Sequence, residues 1–273
     1  MTQAASPAGL VVAITGAGQG IGRGLALAFA QNGTRAVVVS DINEAAAHTV
    51  AAEVRALGCA ALALQADITH AEDCANLVVH TVQAFGRLDV MVCNAGIMQM
   101  RPLLELQGED WDRMMAVNVK GTFQTLQAAA RQMLAQPPLA PGRPRGKIIA
   151  IASIAGRSGA GPIAALIAPY RASKAAVISL TQSAAFTLAP QITVNAICPG
   201  LVETDMWKQM DREWSAMQGL AEGEVWKQRI AGVPMGRPQQ PDDVANLALY
   251  LGSPASDYMT GQSINIDGGL MMN

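Results

Sequence analysis

The reading turns on TGAGQGIG, residues 15–22. It follows an apolar run, LVVAIT (10–15), expected as a buried strand, and opens a helix expected from Gly20 to Asn32 and closed by Gly33. Glycines at 16, 18, 20 and 22 let the backbone turn tightly and come close to a pyrophosphate. The helix start then supplies free N–H groups and a positive dipole end. A second strand, AVVVS (36–40), leads into Asp41, whose carboxylate can take the two hydroxyls of an adenosine ribose. The same carboxylate repels a 2′-phosphate, so NAD is expected over NADP. A glycine-rich turn alone is only a turn. The strand before it, the helix after it and the acid beyond give it the sense of a dinucleotide site.

Outward from this turn, β-branched runs alternate with Ala- and Leu-rich helical stretches. Glu44 to Leu57 and Ala71 to Phe85 are expected as helices, each stopped by a glycine, Gly58 and Gly86. ALALQA (61–66), LDVMVC (88–93), KIIAIAS (147–153), ITVNAI (192–197) and SINI (263–266) are further strands, about seven in all. Continuous apolar strands joined by helices imply a parallel sheet buried on both faces. The expected fold is α/β: a single-domain, Rossmann-type, doubly wound parallel sheet over residues 1–273, with helices on both faces. A closed barrel would need eight such units. QPPLAPGRPRG (136–146) reads as an exposed loop, and 205–241 as a loose region rich in Met and Trp.

The 273 residues are 51% hydrophobic, 15% charged and 4% aromatic, with net charge −2. So apolar a chain can bury a core, which excludes disorder. Nineteen Lys+Arg against 21 Asp+Glu, without a basic run, exclude a nucleic-acid partner. No stretch reaches the ~20 apolar residues that span a bilayer, and Met1 to Gly9 lacks the basic and apolar regions of a signal peptide. Cys59, Cys74, Cys93 and Cys198 form no Cys-x-x-Cys pair and read as buried thiols of a reduced cytoplasm. His48, His70 and His80 are too few and too scattered for a metal site, so no metal is expected.

The glycines are spaced Gly16-x-x-x-Gly20-x-Gly22. Asp67-Ile68 follow the third strand and Asn94-Ala95-Gly96 the fourth. Asn118 lies in VNVKG, and Ser153 ends the fifth strand. Tyr170-x-x-x-Lys174 comes next, and Pro199-Gly200, Val202 and Thr204 follow the sixth strand. In this order and over nearly the whole chain, these residues resemble the short-chain dehydrogenase/reductase family. The resemblance implies a catalytic set of Asn118, Ser153, Tyr170 and Lys174. It implies a cofactor site of Gly16, Gln19, Gly20, Ile21, Gly22, Asp41, Ile42, Asp67, Ile68, Asn94, Ala95 and Gly96, with Tyr170, Lys174, Pro199, Gly200, Val202 and Thr204. In such a site Ser153 would hydrogen-bond the reacting oxygen, Lys174 would bind the nicotinamide ribose and Asn118 would anchor a proton path. The interval from Ser153 to Tyr170 exceeds the family's usual one by about four residues. Ser153 is preferred as the serine because it ends a strand; Ser158 is the alternative.

Alcohol oxidation needs a base for the hydroxyl proton. A tyrosine serves only if its pKa falls from about 10 toward neutrality. Lys174, one helical turn from Tyr170, has the charge to stabilise a phenolate. KAAVISLTQSAA (174–185), ITVNAICPGLVETDMW (192–207) and SPASDYMTGQSINIDGG (253–269) resemble the family's polyol dehydrogenases, of sorbitol and galactitol type. They resemble its meso-2,3-butanediol dehydrogenase/acetoin reductases about equally. The expected reaction is therefore NAD-dependent interconversion of a secondary alcohol, a sugar alcohol or vicinal diol, with its ketone. A 3-oxoacyl-carrier-protein reductase and a catalytically silent NAD-binding regulator are the alternatives. Met206, Trp207 and the 205–241 loop are expected over the substrate; plain packing or a subunit interface fits the same cluster equally. Stretches 111–135 and 170–188 look apolar around much of their circumference, which points to a homotetramer or homodimer.

Overall fold

The computed structural model describes residues 6–138, 140–157 and 162–272. Seven strands form one sheet: β1 (Val11–Thr15), β2 (Ala36–Asp41), β3 (Ala60–Gln65), β4 (Val90–Cys93), β5 (Gly146–Ile151), β6 (Ile192–Pro199) and β7 (Ser263–Ile266). Their order is β3-β2-β1-β4-β5-β6-β7, and every pairing is parallel. This is the expected doubly wound, Rossmann-type sheet.

Both faces are covered because successive side chains alternate sides. Val12 and Ile14 pack toward Leu25 and Phe29 of α1 (Gly20–Gln31), Val50 of α2 (Glu44–Ala56) and Val244 of a late helix. Ala13 between them faces the opposite layer. That layer holds Leu77 of α3 (Ala71–Phe85) and, further on, Leu126 and Met133. Strand order reverses between β1 and β4, so the loops that follow them part and open a crevice at the carboxyl edge of the sheet.

Three expectations change. The helix expected over 111–135 is α4 (Gly108–Met115) and α5 (Thr122–Ala135), joined by a π-helical turn at Ala116–Gly121. The region read as loose, 205–241, contains α7 (Asp205–Gln218) and α8 (Glu224–Ala231), before α9 (Pro241–Gly252). The loop 136–146 is tied down at its start: Gln136 is buried, and its side-chain amide donates to the Leu88 carbonyl at 2.7 Å and the Arg145 carbonyl at 3.0 Å. No helix among the described residues is long and apolar enough to cross a membrane.

Candidate active site

The turn after β1 is built by close approach. Gly16 has φ +62°, and a Cβ there would lie 2.7 Å from the Ala95 Cα. A Cβ on Gly22 would lie 2.2 Å from the Gly16 carbonyl oxygen. The Asn94 amide clamps this turn to the end of β4, donating to the carbonyls of Thr15 and Gly16 at 2.9 Å each. No side chain caps the start of α1, so its first-turn N–H groups keep their affinity for an anion. At the end of β2 the Asp41 carboxylate accepts from the Gly18 N–H at 2.9 Å and from the Asn43 N–H at 3.0 Å.

A cleft of about 790 Å³ runs along the carboxyl edge. Every candidate cofactor residue from Gly16 to Thr204 borders it, and so do Ser153, Tyr170 and Lys174. Glycine cradle, uncapped helix start and an acid beyond β2 fit a dinucleotide. Asn118 lies beneath the cleft, fully buried in the π-helical turn. Its Oδ1 accepts from the Ile97 N–H at 2.8 Å, and its Nδ2 donates to the Ile97 carbonyl at 2.9 Å and to Ser173 Oγ at 3.0 Å. Asn118 thereby fastens the loop after β4 to α6 (Ala168–Leu188), the helix that carries Tyr170 and Lys174.

Ser153 stands two residues beyond β5 and caps a short turn, its Oγ accepting from the Ala155 N–H at 3.1 Å. Its hydroxyl lies near enough to the Tyr170 phenol to favour the phenolate. Ser158, the alternative serine, lies outside the described residues. The Lys174 ammonium lies 5.7 Å from the Tyr170 ring centroid and donates to the Ile151 carbonyl at 2.8 Å. Burial pushes Lys174 down to about 8. Burial also pushes the Tyr170 phenol above its ordinary value, and the Ser153 hydroxyl only moderates this. The depressed tyrosine expected from the sequence is therefore not a property of the protein alone. It needs further positive charge beside the ring.

The outer wall is a satellite apolar cluster. Met100, Ile163, Ile167, Met210, Trp214 and Val225 form it, with Met98, Tyr170 and Trp207 packed alongside. The extended segment before Tyr170 thus packs against α7 and α8. Trp207 meets Trp226 with ring centroids 5.1 Å apart. Buried Asp211 fastens α8 to α7, accepting from the Gly223 N–H and from the Trp226 N–H at 2.7 Å. Met206, Trp207 and Met210 border the cleft, as do Arg229 of α8 and Met271. Arg229 and Met271 were not found from the sequence. The spacing of Trp207, Met210, Trp214 and Met217 is helical and would have located α7, and with it the cleft's outer wall.

Comparison with known proteins places the family. A family model described as enoyl-(acyl carrier protein) reductase matches residues 16–271. Sorbitol dehydrogenase from Cereibacter sphaeroides is 40% identical over 266 residues, covering 97% of this chain and 98% of the relative. A diacetyl reductase, (S)-acetoin forming, from Staphylococcus epidermidis is 40% identical over 260 residues, covering 94% and 97%. Among solved structures, a 7 alpha-hydroxysteroid dehydrogenase complexed with NADH and 7-oxo glycochenodeoxycholic acid superposes with TM-score 0.84 at 32% identity, covering 98% and 97%. The chain belongs to the short-chain dehydrogenase/reductase family, whose members work with nicotinamide cofactors. It is an oxidoreductase acting on CH–OH groups.

Proposed function

We propose that this protein interconverts a secondary alcohol of polyol or vicinal-diol type with its ketone, using NAD, with Tyr170 as general acid and base. One observation carries the reading: Ser153, Tyr170 and Lys174 border one cleft, with the Lys174 ammonium 5.7 Å from the Tyr170 ring centroid, beside a cradle fit for a dinucleotide. A bound nicotinamide supplies or accepts the hydride. The chain's own residues handle the proton. In reduction the Tyr170 phenol donates its proton to the carbonyl oxygen; in oxidation the phenolate takes it from the hydroxyl. Ser153 holds that oxygen against the phenol. Lys174 supplies positive charge beside the ring and, together with a cationic ring in the cleft, draws the phenol down from the value that burial imposes. Asn118 acts as a positioning residue, because its side-chain amide is engaged by Ile97 and Ser173.

Asp41 favours NAD, since a 2′-phosphate would meet its carboxylate. The identity with a sorbitol dehydrogenase and an acetoin-forming reductase supports a substrate with oxygen on the neighbouring carbon. Four buried, unbridged thiols suit a reducing compartment such as the cytoplasm. The whole described sheet serves one cleft, which supports a single functional unit.

The test is NADH formation across polyols, butanediols and 3-hydroxyacyl thioesters, with NADP in parallel. Tyr170→Phe is expected to bind NAD like the wild type and to lose about 10²–10⁴-fold or more in kcat. A Tyr170→Phe enzyme that keeps most of its kcat overturns the assignment. Preference for thioesters with NADP would instead identify a 3-oxoacyl reductase.

A further inference from the structure

The outer wall of the cleft is largely apolar, and it carries one cation, Arg229, with no acid partner among the described residues; Arg113, Arg171 and Asp205 border the same cleft. Arg229 stands on α8 and borders the cleft that contains Tyr170. Its guanidinium lies 5.8 Å from the ring centroid of Trp214, a buried residue of the satellite cluster. Its Nε is shielded from solvent and has no hydrogen-bond partner among the described residues. Asp205, the acid at the start of α7 that borders the same cleft, pairs with Lys208 at 2.9 Å, and the other acids of α7 and α8 have partners of their own. Glu224 on α8 pairs with Lys227 at 3.9 Å, and Glu222 pairs with Arg212 at 3.8 Å. Asp211 on α7 is spent on the Gly223 and Trp226 N–H groups, and Glu213 accepts from Gln209 at 2.8 Å. Burial lowers the Arg229 pKa, yet a guanidinium keeps its proton in proteins. A half-buried cation with an unsatisfied donor is expensive to maintain without a partner.

We propose that Arg229 receives a carboxylate of the substrate, separated from the reacting carbon by an apolar segment that lies against Met98, Ile163, Ile167 and Met210. The proposal rests on the alcohol–ketone reading above and narrows its substrate. A single guanidinium on an apolar wall matches one negative charge in a planar, two-oxygen group. A secondary alcohol that ends in a carboxylate satisfies both the wall and the cation.

The experiment uses the intact protein with NADH and a ladder of oxo acids: acetoacetate, 4-oxopentanoate, 5-oxohexanoate and 6-oxoheptanoate. Each is compared with its methyl ester. Wild type is expected to favour the acid of one chain length over its ester by at least about tenfold in kcat/KM. Arg229→Met should abolish that preference while leaving the esters within about twofold, and Arg229→Lys should keep part of it. A binding arm needs no turnover: hexanoate should raise the melting temperature of the NADH-loaded wild type more than hexanamide does, and this difference should vanish in Arg229→Met. Esters reduced as well as acids, or an acid preference that survives in Arg229→Met, overturns the proposal, as does hexanoate protecting both proteins equally. Failure of every ketone and alcohol to react, with the hexanoate effect intact, would instead overturn the alcohol–ketone reading and leave the carboxylate site standing.

Discussion

At the scale of single residues, the site is defined by two titratable groups, the buried Lys174 and the partly buried Tyr170, whose shifts run in opposite directions. Burial raises the Tyr170 phenol and lowers the Lys174 ammonium to about 8, because each loses water that would solvate its charged form. Neither shift favours the phenolate–ammonium pair that alcohol oxidation needs. The ligand-free protein therefore holds its acid–base pair uncharged more readily than a solvated pair would. The consequence for stability has a definite sign. Below pH 8 folded and unfolded chains both carry the Lys174 proton, and the burial penalty is felt in full. Between about pH 8 and the ordinary 10.5, the unfolded chain keeps a proton that the folded chain has released, so stability rises with pH. Without cofactor, the stability gap between Lys174→Met and wild type should change by about 3 kcal/mol in the wild type's favour across that window. Denaturant melts of both proteins at several pH values measure it; parallel curves would show that Lys174 does not titrate there.

At the scale of elements, the α4–π–α5 run decides how the cleft is floored. The π-helical turn at Ala116–Gly121 directs Asn118 between the loop after β4 and α6. Its last residue, Gly121, leaves room for Ile68 at the bottom of the cleft: a Cβ there would lie 2.5 Å from Ile68 Cδ1 and 3.2 Å from its carbonyl oxygen. Gly121→Ala should push Ile68 toward Asp67 and raise KM for the cofactor several-fold with little loss of kcat, at a stability cost of about 1–3 kcal/mol. Steady-state kinetics with NAD varied checks this; an unchanged KM would mean that the floor yields elsewhere. The π turn itself could not be read in the sequence, because a ladder shifted by one residue has no local composition of its own. The glycine turn, Asp41 and the Tyr170–Lys174 pair were legible because their geometry depends on spacing within one turn or one strand–helix junction. The α7–α8 pair was missed as structure because its polar, charge-rich faces dilute the apolar stripe. Asp211, its clip, works through contacts 12 and 15 residues away that no periodicity reports.

At the scale of the molecule, the surface carries apolar side chains that the sheet does not need. Phe186 is 91% exposed on α6, and Tyr258 is fully exposed. On α5, Phe123 and Leu134 are exposed on one face. The outward stripe of α6 before Phe186 is Ala175, Ser179 and Gln182. It is small at Ala175 and Ser179 and polar at Ser179 and Gln182, not apolar as expected, while Ala184 and Ala185 are buried. Small residues allow close approach by another helix, and the flanking apolar side chains give that approach a driving force. We expect a symmetric dimer or tetramer in solution. Sedimentation at micromolar concentration should show it, and Leu134→Asp with Phe186→Asp should lower the mass; wild-type protein that sediments only as monomer would contradict it. The satellite cluster that seats α7 and α8 has a different consequence. It shares no buried residue with the two apolar layers that clamp the sheet. The helix pair is therefore expected to open more readily than the sheet, and faster amide exchange in α7 and α8 than in β1–β6 would show it. In that case ligand escape would be timed by how often a handful of methionine, isoleucine and tryptophan contacts give way, so substitutions in that wall would change turnover without touching a catalytic side chain.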